Sequence, residues 1–263
     1  MSEEKKPPVP LPASTLLLIR NGSAGLEVFM VKRHHQIDFA SGALVFPGGK
    51  VDAHDHDPAL RTHVDGAEKL DDLHLSLAAC AIREGFEESG ILLARRAGSR
   101  EMITAEHAAS LDHWRPKLNK SEVGLTEFLT KEKLRLACDE LVTFAHWVTP
   151  TFMPKRFDTY FYVAAAPAGQ LGRHDGSESV DSAWMNPVEA TTDKRWTILF
   201  PTKLNLLKLG EARTADDALA TARKTPVVTV LPEMVNRADG RFLVIPDNAG
   251  YGKVEQNMQG FRG

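Results

Sequence analysis

Glu84, Glu87 and Glu88 stand at i, i+3 and i+4 in the run Ala79-Cys80-Ala81-Ile82-Arg83-Glu84-Gly85-Phe86-Glu87-Glu88-Ser89-Gly90-Ile91. At helical spacing their carboxylates share one face. Leu75, Ala78, Ala79, Ile82 and Phe86 fall on the opposite side. Three like charges on one face repel by about 0.2–0.5 kcal/mol per i,i+4 pair, which a solvated helix tolerates. Here Leu77, Cys80 and Ala81 fill the turns just before the acids on their own face. The helix is therefore apolar nearly all round and reads as buried. A buried acidic cluster needs counter-charge. Arg83 reaches Glu87 at i+4, but one guanidinium cannot neutralise three carboxylates. A divalent cation can, and all-oxygen ligation suits Mg²⁺, with Mn²⁺ as the alternative. Gly90 stands where a left-handed C-terminal cap belongs.

A second group lies upstream, in Phe46-Pro47-Gly48-Gly49-Lys50-Val51-Asp52-Ala53-His54-Asp55. Ala43-Leu44-Val45-Phe46 reads as a short strand, and Pro47-Gly48-Gly49 turns the chain sharply after it. With no side chains on the glycines, a backbone carbonyl can approach a cation.

Together the two segments resemble the box of the Nudix hydrolases, G-x5-E-x7-R-E-U-x-E-E-x-G-U with U aliphatic. Gly49, Arg83-Glu84, Glu87-Glu88, Gly90 and Ile91 match it directly. Three positions depart. Asp55 stands where the box has Glu, and 27 residues (56–82) separate it from Arg83 where the box has 7. Gly85 takes the first aliphatic position, at about 1 kcal/mol relative to Ala in a helix interior. Further on, Trp147-Val148-Thr149-Pro150 followed by Arg156-Phe157-Asp158-Thr159 is similar to the long-box branch that includes peroxisomal coenzyme A diphosphatases. That likeness spans about residues 12–210 and is less specific than the box.

The resemblance implies an α/β fold, a Nudix-type α/β/α sandwich around a mixed β-sheet with helical insertions. It implies Mg²⁺-dependent hydrolysis, by attack at phosphorus, of a diphosphate joining a nucleoside to another moiety. Coenzyme A or acyl-coenzyme A is the expected substrate. NADH, ADP-ribose or another dinucleotide is the alternative, and a non-catalytic ligand-binding module is another. On this reading Glu84, Glu87, Glu88 and the Gly48 carbonyl hold the metal, and Arg83 orients a glutamate. Glu178, in the polar loop from Gly169 to Ser182, is a fourth ligand or the general base. Asp55 competes for the base, one carbon shorter than the glutamate of the box. Lys32, Arg33, Lys155 and Arg156 are candidate phosphate contacts through their charge. His34 and His35 belong to the same basic cluster as Lys32 and Arg33. His54, Asp55, His56, Asp57 and His63 suggest a zinc site only weakly, because no second ligand pair has matching spacing.

Composition frames these groups. The chain has 263 residues, 43% hydrophobic and 25% charged, enough for one large domain. A net charge of −3 gives no basic footprint for nucleic acid or anionic membrane, which argues against an RNA-processing enzyme. Cys80 and Cys138 are the only cysteines, so both are expected reduced, in a cytoplasmic setting. No apolar run approaches the roughly 18 residues of a membrane span. The expected partner is a small nucleotide, with a homodimer left open.

The elements that must position the site read as follows. Residues 1–11 are expected to form a disordered tail, and 12–263 a single domain. Insertions are expected at about 56–73 and 101–137, with a C-terminal extension from about 211. Ala13 to Arg20 and Leu26 to Lys32 form a hairpin. The first insertion is loop-like and ends in Asp71-Asp72, a cap for the acidic helix. The second carries helices over Thr104 to Trp114 and Ser121 to Leu136. Strands follow from Glu140 to Thr149 and Lys155 to Val163. Short helices start at Asn186-Pro187, Phe200 and Thr214. Val227 to Leu231 and Arg241 to Ile245 pair as a last hairpin.

Overall fold

The structure, a computed structural model, describes residues 6–34, 42–176 and 178–258. His35 of the basic cluster lies outside the described residues. Alternating apolar side chains build its centre. In β1 (Leu11–Gly22), Leu16 and Leu18 point to one side and Leu17 and Ile19 to the other, all fully buried. A strand buried on both faces needs cover on both.

The chain supplies it in order. β2 (Gly25–Arg33), β3 (Ala43–Val45) and β4 (Gly48–Lys50) lead to the acidic helix α1 (Asp72–Ser89). Then come β5 (Ala94–Arg96), α2 (Ala105–Ser110), α3 (Arg115–Asn119), α4 (Leu125–Glu132) and β6 (Leu134–Leu136). After β7 (Val142–Val148), β8 (Phe157–Ala165) and β9 (Ser179–Met185) follow α5 (Pro187–Thr192), β10 (Thr197–Ile198), α6 (Phe200–Leu209) and α7 (Ala215–Lys224). The described chain closes with β11 (Thr229–Val230), β12 (Glu233–Arg237), β13 (Gly240–Val244) and β14 (Glu255–Asn257).

The main sheet runs β10-β3-β2-β1-β8-β7-β11, with β4 also on β1 and β9 also on β2. It is mixed: β1 pairs antiparallel with β2 but parallel with β8. On the Leu16 face lie α1 and the 101–137 segment, where Phe86 stacks on Phe128 at 5.8 Å and Trp114 meets the same ring at 5.4 Å. On the Leu17 face lie α6 and α7, with Ile245 and Ala249. This is the expected sandwich. Among the described residues no helix is long and apolar enough to cross a membrane.

Several local expectations need correction. The stretch after Asp55 is not a loop. It winds into 3₁₀ turns at Ala53–His56, Pro58–His63 and Ala67–Lys69 and buries Leu60 and Val64. Asp65 anchors it, accepting from Arg95 at 2.9 Å and Arg135 at 2.6 Å. The helix expected to reach Leu136 stops at Glu132. Lys133 turns left-handed (φ 54°), and Leu134–Leu136 pair with Ala94–Arg96 instead. The last hairpin is misassigned too. Thr229–Val230 join β7 in parallel, while β13 pairs with β12 across Ala238-Asp239, a turn signal at Asp239-Gly240 that the apolar runs outweighed. Leu11, expected in the tail, is already in β1, and the Pro8 carbonyl accepts from Arg156 at 2.8 Å. The segment after 211 is no appendage. Ala215, Ala218, Leu219 and Ala222 of α7 and Val230 of β11 complete the second core.

Candidate functional site

The acids are delivered by one helix held at both ends. Asp71 caps its start, accepting from His74 N at 2.8 Å, and Gly90 ends it at φ 72° with its N–H on the Phe86 carbonyl. The helix crosses β1 so closely that a Cβ on Gly85 would lie 2.8 Å from Leu16 Cδ2. Close approach of helix to strand is thus the reason for glycine where the box has an aliphatic residue.

Arg83 organises the carboxylates. It is 7% exposed. Nε and Nη2 hold Asp55 in a fork at 2.9 and 2.8 Å. Nη1 reaches Glu84 at 2.9 Å and Glu87 at 3.1 Å, and Nη2 also donates to the Lys50 carbonyl at 3.1 Å. The second oxygen of Asp55 accepts from Asp52 N at 2.8 Å in a capping box with Asp52. The 27 intervening residues therefore fold away and bring Asp55 back to the helix. Asp55 is completely buried and its oxygens are engaged by Arg83 and Asp52. It fits the base poorly and works as the partner that fixes Arg83.

Glu88 accepts from Gly48 N at 3.1 Å, so the glycine turn touches the cluster through its amide. A Cβ on Gly49 would lie 2.3 Å from Glu84 Oε1, so a side chain there would displace that carboxylate from its present position. Burial raises all three glutamates. It pushes Glu87 up to about 8 against the pull of Arg83, holds Glu84 above its ordinary range, and lifts Glu88 well above it, with Glu84 adding repulsion. Burial opposes the charge on Arg83, but Glu84 and Asp55 outweigh it and keep the guanidinium firmly protonated. Glu178 is near enough that its charge adds to the rise at both Glu84 and Glu88.

The donor set suits a hard divalent cation. Three carboxylates, those of Asp55, Glu84 and Glu87, share one forked guanidinium, Glu88 is buried beside them on Gly48 N, and the glycine turn leaves Glu84 unobstructed. Among the described residues no group of three or more His, Cys, Asp or Glu side chains is placed so that it could hold a metal ion as it stands. Glu84 and Glu87 each give an oxygen to Arg83, and Glu88 gives one to Gly48 N. Of the residues considered for zinc, His56 meets Ser76 Oγ at 3.0 Å and His63 meets Thr130 Oγ1 at 3.2 Å.

The basic candidates separate. Arg33 ends β2 beside the acids and its charge eases the ionisation of Glu88. Its Nε is buried and has no hydrogen-bond partner among the described residues. Lys32 points to the other face of the sheet, 5.6 Å from the Trp196 ring. Lys155 is exposed, over Phe157. Among the described residues Arg156 is bonded to backbone carbonyls and makes no ion pair with Asp158. It is buried, with Nε on the Thr149 carbonyl at 2.9 Å and Nη1 on Pro8. Sequence reasoning missed Arg115, which donates to the Glu87 carbonyl at 3.0 Å from a segment read as scaffolding. No local signal marks it, because the contact depends on how the insertion docks.

The chain is 24% identical to an acyl-coenzyme A diphosphatase NUDT19 of Xenopus laevis, over 66% of this chain and 56% of that protein. Its likeness to the human protein of the same name is 24%, over 64% and 55%. The chain thus matches little more than half the length of these curated relatives. A putative nudix hydrolase 7 of Caenorhabditis elegans is 24% identical over 85% of this chain and 71% of its own. Among solved structures, a NUDIX hydrolase from Alicyclobacillus acidocaldarius superposes with a TM-score of 0.68 and 27% identity, covering 83% of this chain and 99% of that one. The NUDT19 Nudix domain family matches residues 62–201, more than half of the sequence, and the chain belongs to that branch of the Nudix hydrolases.

Proposed function

We propose that this protein hydrolyses the diphosphate bridge of coenzyme A or an acyl-coenzyme A. Mg²⁺ or Mn²⁺ is held by Glu84, Glu87, Glu88 and the Gly48 carbonyl. The observation that carries the reading is the surplus of buried carboxylate around Arg83, which is costly unless a cation balances it. When bound, a divalent cation neutralises a diphosphate and lowers the pKa of an attacking water. The chain's own residues do the remaining work. Arg83 holds Glu84 and Glu87 in fixed rotamers, with Asp55 holding Arg83. Arg33 brings its positive charge to the cluster, with a buried Nε that has no partner among the described residues, and its guanidinium binds a substrate phosphate. Glu178, on a loop rather than the helix, accepts the proton of the attacking water or serves as a fourth ligand. The coenzyme A preference is supported by similarity to acyl-coenzyme A diphosphatases, whose length this chain covers only in part.

A product assay tests this. Purified protein with Mg²⁺ is given coenzyme A, acyl-coenzyme A, NADH, ADP-ribose and capped RNA. The expected products are 3′,5′-ADP and a phosphopantetheine. A kcat/KM roughly a hundredfold higher for NADH or ADP-ribose, about 2.7 kcal/mol in transition-state binding, overturns the coenzyme A assignment but not the chemistry. Binding without products from any compound leaves a ligand-binding module.

A further inference from the structure

Nothing inside the box holds Glu178 to the acids it faces. The groups carry like charge and repel, and Glu178 sits on a loop. The end of β2 holds its backbone directly, His34 N donating to the Glu178 carbonyl at 2.7 Å, and a second tether comes from the 101–137 insertion. Arg115, at the start of α3, is 6% exposed and divides its guanidinium among three elements. Nε donates to the Glu87 carbonyl at 3.0 Å, Nη2 to the Arg173 carbonyl at 3.0 Å, and Nη1 to Asp112 at 2.8 Å. A Cβ on Gly90 would lie 3.2 Å from Nη1, so the cap glycine also leaves room for this group. Arg173 N returns to the Ser89 carbonyl at 2.7 Å, closing the join between loop and helix end.

From that join the position of Glu178 is carried by short bonds. His174 N donates to Ser182 Oγ at 3.1 Å. The Asp175 carboxylate accepts from Glu178 N at 3.0 Å and Ser179 N at 2.9 Å. Upstream, Gln170 accepts from Leu92 N at 2.8 Å. The loop is thus braced internally, and Arg115 links its base to the turn of α1 that carries Glu87 and Glu88.

We propose that Arg115 is a positioning residue that, together with the pairing of β9 on β2, sets the separation between Glu178 and the acids of α1. The inference rests on the diphosphatase reading for its consequence, but the tether itself is measurable without turnover. A displacement of about 1 Å in such a group can cost about a hundredfold in rate. Arg115→Lys keeps the charge and cannot serve both carbonyls.

The test has two parts. Amide hydrogen exchange on the metal-free protein follows 86–90 and 170–176, and calorimetry follows Mg²⁺ binding. Arg115→Lys is expected to speed exchange in both segments and weaken Mg²⁺ binding. Asp112→Asn, at a half-exposed position, loosens the same clamp from outside and serves if Arg115→Lys does not fold. Steady-state kinetics are then measured in wild-type and Glu178→Gln backgrounds. A fall in kcat of about tenfold to a hundredfold with little change in KM is expected in the first background and mostly absent in the second. Equal losses in both backgrounds, or unchanged exchange at 170–176, overturn the proposal. If the wild type cleaves no diphosphate, the functional reading fails. The exchange and calorimetry then decide the positioning role by themselves.

Discussion

Arg83 is the residue on which the site's electrostatics turn. Replacing it with Met leaves Asp55, Glu84 and Glu87 buried without their partner. Removing one member of a buried pair costs about 3–5 kcal/mol, and urea unfolding near pH 8 should show that loss. The loss should shrink toward pH 5, where the glutamates take up protons. The glutamates behave in the opposite way. Glu88→Gln removes a charge that burial and Glu84 already disfavour, so stability should hold or rise. Turnover should fall by about 10²–10⁴, the scale of a lost electrostatic or proton-transfer group. Wild-type turnover at saturating Mg²⁺ would remove Glu88 from the metal site. Gly49→Ala tests the turn: its Cβ would meet the Glu84 carboxylate at 2.3 Å. Weaker Mg²⁺ binding in calorimetry with a folded circular dichroism spectrum is the expected result.

At the level of the element, the crossing of α1 over β1 gives a paired prediction. Gly85→Val drives two methyl groups toward Leu16, which is fully buried. Overpacking of this kind costs about 1–3 kcal/mol. A Leu16→Ala change in the same chain should return part of that loss in thermal unfolding, and strict additivity would show that the two sites do not touch. The acidic helix and its cap were legible in sequence because both are local: i, i+3, i+4 spacing, Asp71 before the helix and Gly90 after it. The hairpin of β1 and β2 was legible for the same reason. What could not be read was docking. Nothing near Leu134 says that it leaves a helix to pair with Arg96. Nothing near Arg156 says that its fork is committed to the backbone of residues 8 and 149. Arg33 and Glu178 were chosen by charge and chain position. Their meeting with α1 rests on β9 lying beside β2, a pairing between segments far apart in the chain.

At the scale of the whole molecule, the buried acids make stability depend on pH in a definite direction. Burial raises Glu87 from 4.5 to about 8 in the folded chain. A group raised on folding stabilises fully below its unfolded value, and that stabilisation is lost as pH rises through the folded one. The metal-free protein in chelator should therefore lose thermal stability between pH about 4.5 and about 8. Mg²⁺ binds the ionised form, so the gap in melting temperature between metal and chelator should widen across the same window. A gap that narrows with rising pH would argue against ligation by these acids. The second core makes another demand. Truncation after residue 211 removes α7 and β11 and should give a chain that fails to fold cooperatively, seen as a lost calorimetric transition.

The return of Asp55 to Arg83 across 27 residues has a consequence for redesign. The box closes with seven residues in its usual form, so the chemistry does not require the longer span. The added length carries other duties: Leu60 and Val64 fill the core, and Asp65 binds Arg95 and Arg135. A segment optional to the reaction is thus part of what holds this fold together. Cutting it back to the usual length should fail through packing rather than through catalysis, so the two properties can be varied separately.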